Sequence, residues 1–396
     1  MTKPMILLTV VVLAAPAAAA PASAQFRLPK KLDELEAIAR KDSNDAAAHY
    51  NLALAYWNAK RWDAVERELR LAVTIEPQFA EGWLALSRLP FAQRGKLWDD
   101  IAENRVSPEF QPKLDEAWRN YERAFIINPL VDLRIEAAVR PAKSIYWTAT
   151  ESLSDLYDYL FGGLDDIQRG NYEAAYQRFD RLIQDAPTAA EQEDMPEFVY
   201  YFRGLAAAHI ERWNDAIVDF ARLLQNAETR HSPDSLLYYI PIETNQYRYM
   251  LAVLYQRAGN LTEAVRYYRE ALENDIGLYM ANARLASIAE SNQNWPAAIR
   301  ERRAAVSANP DDPSLLFDLG KAIASSGDWA GAEQTLKQAM EANPRDSRVP
   351  YYLGIVQQQQ NKKEEARATF DRFVALAPSR YARQVENVKQ RLAALR

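Results

Sequence analysis

The chain has 396 residues, of which 48% are hydrophobic and 26% are charged, and its formal net charge is −6. This acidic balance argues against nucleic acid or an anionic membrane surface as a partner. The chain contains no cysteine, which excludes disulfide bonds, thiol catalysis and thiolate metal sites. With 12 glycines and little alternation of β-branched residues, the composition favours an all-α fold.

Residues 1–24 have the pattern of a secretory signal peptide. Lys3 supplies a positive charge, an apolar run follows at residues 5–15, and small residues at 22–24 precede Gln25. The run is shorter than the roughly 20 apolar residues that span a bilayer, so we expect cleavage after Ala24, with an uncleaved anchor as the alternative. We therefore expect an exported protein of a Gram-negative periplasm, with secretion outside the cell as the weaker option, and no stable membrane span.

The rest of the chain divides by pattern into six further regions. In chain order they are a lead-in helix at 25–45, two repeats with an insertion at 46–131, a non-repeat helical linker at 132–155, degenerate repeats with an insertion at 156–244, four regular repeats at 245–380 and a capping helix at 381–396. The two insertions span residues 90–112 and 227–243. Insertions in repeat arrays form loops on one face, which either bind partners or are merely tolerated.

The four regular repeats recur every 34 residues without an insertion. Their columns hold large and small residues in fixed order: Leu251, Leu285, Leu319 and Leu353, then Ala252, Ala286, Gly320 and Gly354, then Ala264, Ala298, Ala332 and Ala366. Each repeat carries two apolar stripes at helical spacing with a turn between them, which predicts a helical hairpin. A single hairpin cannot bury its apolar face, so neighbouring hairpins must stack.

Two finer expectations follow from the same columns. The small residues should let the two helices of a hairpin approach closely. The residue after each turn, such as Trp295 or Trp329, should fill the wedge between them. Because repeat arrays couple mainly through nearest neighbours, we expect the loss of a residue such as Trp329 to be felt first in the C-terminal half of the array.

The period and the residues Leu319, Gly320, Ala332 and Pro344 resemble the tetratricopeptide repeat family. This resemblance implies an all-α solenoid of about eight helix–turn–helix repeats with a C-terminal capping helix. It also implies a concave groove, lined by the first helix of each repeat, that takes extended peptides or partner helices.

Six side chains stand at the expected groove positions, and they are Tyr50, Tyr201, Tyr249, Phe317, Lys321 and Tyr351. Aromatic rings suit peptide recognition because they combine apolar area with little entropy loss. The alternative is that the rings pack between repeats. Exposure distinguishes the two roles, since a packing ring is buried whether or not a ligand is present. The basic residues of the terminal helix either lie on a solvated face or form an anionic docking site, and they are Arg380, Arg383, Lys389, Arg391 and Arg396.

The sequence offers little for catalysis. The three histidines are His49, His209 and His231, and none has a metal-binding spacing or a nucleophile-elbow context. We therefore predict no catalytic residue, no cofactor and no metal. The predicted function is a non-enzymatic scaffold or peptide-binding protein of the bacterial cell envelope, with a protein or peptide partner and an undetermined oligomeric state. The alternatives are a carbohydrate or cell-wall binder that uses the same rings and, third, a repeat-bearing enzyme subunit.

Overall fold

The computed structural model describes residues 31–93, 106–131, 162–167, 169–185, 195, 197–229 and 244–395. The predicted signal peptide, the linker at 132–155, His231, Arg396 and most of both insertions lie outside the described residues. Their predicted roles stay predictions.

All regular structure in the described ranges is helical. The first α-helices are α1 (Leu32–Lys41), α2 (Ala46–Asn58), α3 (Trp62–Ile75), α4 (Ala80–Gln93), α5 (Gln111–Ile127), α6 (Tyr172–Gln184), α7 (Glu197–His209) and α8 (Trp213–Thr229). They continue as α9 (Thr244–Arg257), α10 (Leu261–Asn274), α11 (Tyr279–Ser291), α12 (Trp295–Ala308), α13 (Pro313–Ser325), α14 (Trp329–Ala342), α15 (Arg348–Gln359), α16 (Lys363–Leu376) and α17 (Ala382–Ala394). Residues 162–167 are also helical, and a 3-10 turn, Ser379–Tyr381, precedes α17.

The predicted all-α solenoid of helical hairpins with a C-terminal capping helix is confirmed. The closed hairpins are α2/α3, α7/α8, α9/α10, α11/α12, α13/α14 and α15/α16. None of the helices in the described ranges is long and apolar enough to cross a membrane.

In the hairpins α7/α8, α13/α14 and α15/α16, a glycine on the first helix meets a large apolar residue sixteen positions later on the second. A Cβ added to Gly320 would lie 2.7 Å from Leu336 Cγ, and one added to Gly354 would lie 2.5 Å from Phe370 Cε1. Leu336 and Phe370 are fully buried. The close approach expected from the small column is therefore present, because no larger residue fits against these side chains.

The turn inside each hairpin requires one residue with a left-handed backbone. Gly259 and Gly327 occupy this position with φ angles of +81° and +92°. At the equivalent positions of the neighbouring repeats, Gln293 and Asn361 adopt the same conformation with φ angles of 56° and 59°. The turn is thus set by the repeat rather than by glycine, since these non-glycine residues accept the strain that the conformation imposes.

The tryptophan column does not fill the wedge between the helices, which corrects the expectation from sequence. Trp329 is 36% exposed, and Leu261 in the same column is 37% exposed. Both begin the second helix of their hairpins, directly after the turn, and about a third of each side chain stays in contact with solvent. The apolar contact within the hairpin comes instead from the column that includes Leu336 and Phe370.

The chain forms two compact units. Among the described residues, unit 1 contains those from 87 to 274, and unit 2 contains those from 31 to 86 and from 275 to 395. One boundary falls within α4, and the other separates α10 from α11. The four regular repeats therefore do not belong to a single unit, although their sequence pattern is continuous.

Unit 2 joins the first hairpin to the last two hairpins, which are far away in sequence. The Asn343 side chain donates to the carbonyl oxygens of Thr74 and Ile75 at 3.1 and 3.3 Å. The Ser379 backbone N–H and hydroxyl both donate to Asp42 Oδ1, at 2.9 and 2.8 Å. These bonds form a long-range junction of residues 42–45 and 74–76 against 343–348 and 376–381, which adds contacts between distant repeats to those between neighbours.

Candidate partner-binding surface

The six predicted groove residues divide by exposure. Tyr201, Tyr249 and Phe317 are buried, at 7%, 0% and 3% exposed. Tyr50 and Tyr351 are half-buried, and the Lys321 side chain is 39% exposed. The condition of partial exposure is therefore met by Tyr50, Tyr351 and Lys321. For all six residues, binding itself stays a prediction.

The two buried tyrosines of unit 1 pack between helices. Tyr249 on α9 donates its hydroxyl proton to the Ile126 carbonyl at 2.6 Å, and its ring lies 6.3 Å from that of Phe125. Tyr201 on α7 meets the ring of Phe220 edge-on at 5.7 Å. A buried tyrosine whose hydroxyl is satisfied by a backbone carbonyl stabilises the stack.

Phe317 lies at the centre of an aromatic–cationic cluster that also contains Lys321, Arg348 and Tyr352. Lys321 Nζ is 5.3 Å from the Phe317 ring centroid, and Arg348 Cζ is 4.8 Å from it. Tyr352 meets the same ring edge-on at 5.4 Å, and Lys321 Nζ is 5.5 Å from the Tyr352 centroid. All three distances between a cation and a ring centroid are within the range of favourable cation–π contacts.

The accessible parts of this cluster are Tyr352, the end of Lys321 and the Arg348 side chain, which is 32% exposed. Tyr352 is 36% exposed, whereas Phe317 beneath it is buried. Sequence reasoning missed Tyr352 and Arg348 because it took the groove residues from two columns one helical turn apart, and neither residue stands in those columns. The adjacent pair Tyr351 and Tyr352 on α15 was the available signal, since neighbouring helical residues point about 100° apart and two aromatics cover a wide arc.

Tyr351 faces the end of the array. Its ring lies 5.2 Å from Phe373 on α16, and it packs against the cluster that includes Val388 of the capping helix. Arg391 of the same helix donates to Gln358 Oε1 at 2.7 Å. The capping helix therefore packs on the last hairpin, chiefly on α16, in the place where a following repeat would stack.

A buried arginine replaces the large apolar residue of the hairpin α11/α12. Arg302 is 6% exposed, and it donates to both carboxylate oxygens of Glu290 at 2.9 and 3.0 Å. It also reaches Asp318 Oδ2 at 3.5 Å, and Asp318 lies 3.7 Å from Lys321 Nζ. A charge can be buried here because it is paired and hydrogen-bonded. The same network holds Asp318 beside the aromatic–cationic cluster.

Arg348 belongs both to this cluster and to the long-range junction. Its guanidinium donates to Asp346 through Nε at 2.9 Å and through Nη2 at 2.7 Å. Burial alone would lower the pKa of Arg348, but the hydrogen bonds to Asp346 outweigh it and raise the pKa, so the residue stays charged. A shallow surface depression beside it is lined by residues of both sides of the junction, including Glu76, Asp346 and Arg380.

The two described histidines occupy packed positions. His49 Nδ1 lies 2.7 Å from Glu68 Oε2, and its Nε2 lies 3.1 Å from the Ser43 carbonyl oxygen. His209 stacks on Tyr172 with the ring centroids 4.1 Å apart. Among the described residues, no group of three or more His, Cys, Asp or Glu side chains could hold a metal ion.

Comparison with protein families identifies the repeats. Two family models described as tetratricopeptide repeat match the chain, one at residues 249–313 and 284–347 and the other at residues 324–391. Residues 249–391 are tetratricopeptide repeats. These residues cover the regular repeats and most of the capping helix, and the more degenerate hairpins lie before residue 249. No curated protein sequence matches the chain.

Solved structures similar to this chain are distant in sequence. The C-terminal part of a TPR repeat-containing protein from Cytophaga hutchinsonii is 13% identical, with a TM-score of 0.48, and the match covers 60% of this chain and 87% of that one. A tetratricopeptide repeat protein from Parabacteroides merdae is 14% identical, with a TM-score of 0.38, and the match covers 78% and 98%. At these identities neither structure says what this chain binds.

Proposed function

We propose that this protein is a non-enzymatic scaffold of the bacterial cell envelope, and that a protein or peptide partner docks on the aromatic–cationic cluster of unit 2. Tetratricopeptide repeats indicate a protein–protein interaction scaffold. The observation that carries the proposed site is a partly exposed ring, Tyr352, beside the partly exposed ammonium group of Lys321 and above the buried ring of Phe317.

The cluster favours a partner segment of definite chemistry. Tyr352 offers apolar area with a polar tip, and Lys321 offers a cation whose ion pair with Asp318 is long, at 3.7 Å. A segment with an acidic residue next to an apolar or aromatic residue would satisfy both groups. Arg348 is less available to a ligand, because Asp346 already occupies two of its donors.

The test begins with capture of partners from native envelope extract on the mature protein, followed by mass spectrometry. Tyr352→Ala and Lys321→Glu should each weaken capture of the same partner about tenfold or more, the scale of an interface hot spot. The melting temperature should change little, because neither side chain is buried. Trp118→Ala is the matched control, since Trp118 is 43% exposed and lies in unit 1.

The site is wrong if Trp118→Ala weakens capture while both unit 2 variants leave it intact. Deleting residues 227–243 then decides whether that insertion is the binding element. A large fall in melting temperature for Tyr352→Ala would instead assign Tyr352 to packing.

One observation favours a second candidate, a carbohydrate or cell-wall binder. Sugar sites combine an aromatic ring with polar groups for the hydroxyls, and Asp318 and Lys321 lie near Tyr352. The protein partner remains the better reading because Asp318 already interacts with Arg302 and Lys321. Sedimentation with purified cell-wall polymer distinguishes the two, since only the sugar binder would sediment and lose this property on Tyr352→Ala.

The envelope location is the other part of the proposal, and it is supported by the sequence pattern of residues 1–24. The exported protein should begin at Gln25. Amino-terminal sequencing of the protein from a periplasmic fraction checks this, and recovery of Met1 from membranes would overturn it.

A further inference from the structure

The long-range junction of unit 2 is made by loops and helix ends. Besides the bonds of Asn343 and Ser379, the Asn44 side chain donates to the Leu376 carbonyl at 3.3 Å. Arg380 lies 3.3 Å from Asp45 and 3.6 Å from Glu76. Asn343 and Leu376 lie at the ends of α14 and α16, and Thr74 and Ile75 end α3. The junction therefore joins the C-terminal helix ends of the first hairpin and of the last two.

The chemistry of the junction differs from that of the stack. The apolar cluster of the first hairpin contains Ala46, Ala72 and Ile75. The residues packed against it lie in the same hairpin, apart from Phe79, which follows it. The clusters around Leu336 and Phe370 contain only residues beyond position 298. None of these three clusters crosses the junction. What crosses it is a set of hydrogen bonds and ion pairs, and water can replace most of these when the two sides separate.

We propose that the junction is a reversible latch, in which the first hairpin attaches to the last two hairpins and detaches from them without either side unfolding. Each side keeps its own apolar core when the contacts break. The occupant of the surface at residues 343–348 is the chain's own first hairpin. Asn343, Asp346 and Ser347 are 6%, 6% and 5% exposed, although they lie between hairpins, and opening would expose them.

The latch is also electrostatically controlled. The Arg380 side chain is 40% exposed, and its two carboxylate partners lie beyond ideal ion-pair distance, so salt screens the attraction. Opening should therefore become more frequent as ionic strength rises. Arg348, which bonds Asp346 in the junction and lies over Phe317, connects the latch physically to the aromatic–cationic cluster.

The absence of cysteine allows a direct test in the full mature chain. Cysteines are introduced in pairs at Lys41 and Ala382, which are exposed and flank the junction without making its contacts. A short bis-maleimide reagent should link them within one molecule. The rate of intramolecular linkage should fall several-fold at high salt and on Arg380→Glu, which faces Asp45 and Glu76 with like charge. Arg383→Glu is the control, since Arg383 is exposed and makes no ion pair among the described residues.

Far-ultraviolet circular dichroism and melting curves accompany each variant. Unchanged helicity together with slower linkage supports the latch. Three results would overturn it: linkage only between two molecules, which would mean that the junction forms between copies; a rate indifferent to both salt and Arg380→Glu; or a loss of helicity in step with the loss of linkage, which would make the junction part of the fold.

Discussion

The interior of a hairpin and the long-range junction hold unit 2 together in opposite ways. Between Gly354 and Phe370, contact is apolar, buried and so close that a single added Cβ would lie 2.5 Å from the ring. Between Asn343 and Thr74, contact is a hydrogen bond between groups 269 residues apart. The apolar contact is specified by the 34-residue period and recurs in the regular repeats, except that Arg302 takes the place of the apolar residue in α11/α12. The contact across the junction occurs once, so the repeat period of the sequence does not predict it.

The hairpin interior should give the largest effect. Phe370→Ala removes a fully buried ring that fills the space above Gly354, so it should destabilise the protein by about 3–5 kcal/mol. Chemical denaturation measures the loss, and hydrogen exchange should rise first at residues 348–376. Val218→Ala, at a position that is 64% exposed, should change stability by less than about 0.5 kcal/mol. Similar losses of stability for Phe370→Ala and Val218→Ala would contradict the assignment of Phe370 to the hairpin core.

The sequence predicts the first kind of contact well and the second not at all. The small residues Gly320 and Gly354 and their large partners could be read from four aligned repeats, because a regular array uses the same contact each time. The groove position was read from the same alignment, but exposure depends on neighbouring helices, and so buried Phe317 was named while exposed Tyr352 was missed. The junction depends on how many repeats separate the two parts of the chain that meet. It also depends on turn residues such as Asn343, whose identity follows no repeat pattern in the sequence.

Replacing a residue of the tryptophan column should destabilise the protein less than the size of its side chain suggests. Trp329→Ala should cost about 2 kcal/mol, because the ring is one-third exposed and its removal leaves a groove that water can enter rather than a closed cavity. Calorimetry of Trp329→Ala beside Phe370→Ala checks the order. A loss for Trp329→Ala equal to that for Phe370→Ala would restore the wedge role that the sequence predicted.

A substitution in the long-range junction should reduce stability less than Trp329→Ala does. Asn343→Ala removes two hydrogen bonds to carbonyl groups that water can then reach, so the expected loss is about 1 kcal/mol. Hydrogen exchange should rise at residues 62–76 of the first hairpin while α13 stays protected. Asn309→Ala is the matched control, because Asn309 occupies the same repeat position one period earlier and makes no side-chain bond to the first hairpin among the described residues. Equal effects on α3 from both variants would show that the repeat, not the junction, needs the asparagine.

A polar contact between neighbouring repeats should have the smallest effect on stability. Its contribution can be measured separately because it depends on pH. The Glu333 carboxylate on α14 accepts from Lys362 of the next hairpin at 2.5 Å, from Gln360 at 2.9 Å and from Lys337 at 2.7 Å. Burial opposes ionisation and would raise the pKa of Glu333, but these three donors outweigh it and lower the pKa from 4.5 to about 2.

A carboxylate with a lowered pKa stabilises the fold fully above the unfolded value of 4.5 and loses that contribution as the pH falls toward 2. Glu333→Gln removes the ionised form, so the variant should be less stable than the parent at pH 7, by under about 1 kcal/mol because both lysines are half exposed. The difference in melting temperature should shrink between pH 4.5 and 2 and vanish near pH 2. Asn343→Ala carries no titrating group and should show a constant difference over the same range. If the Glu333→Gln difference persisted unchanged at pH 2, the carboxylate charge would not be what holds α14 to the next hairpin.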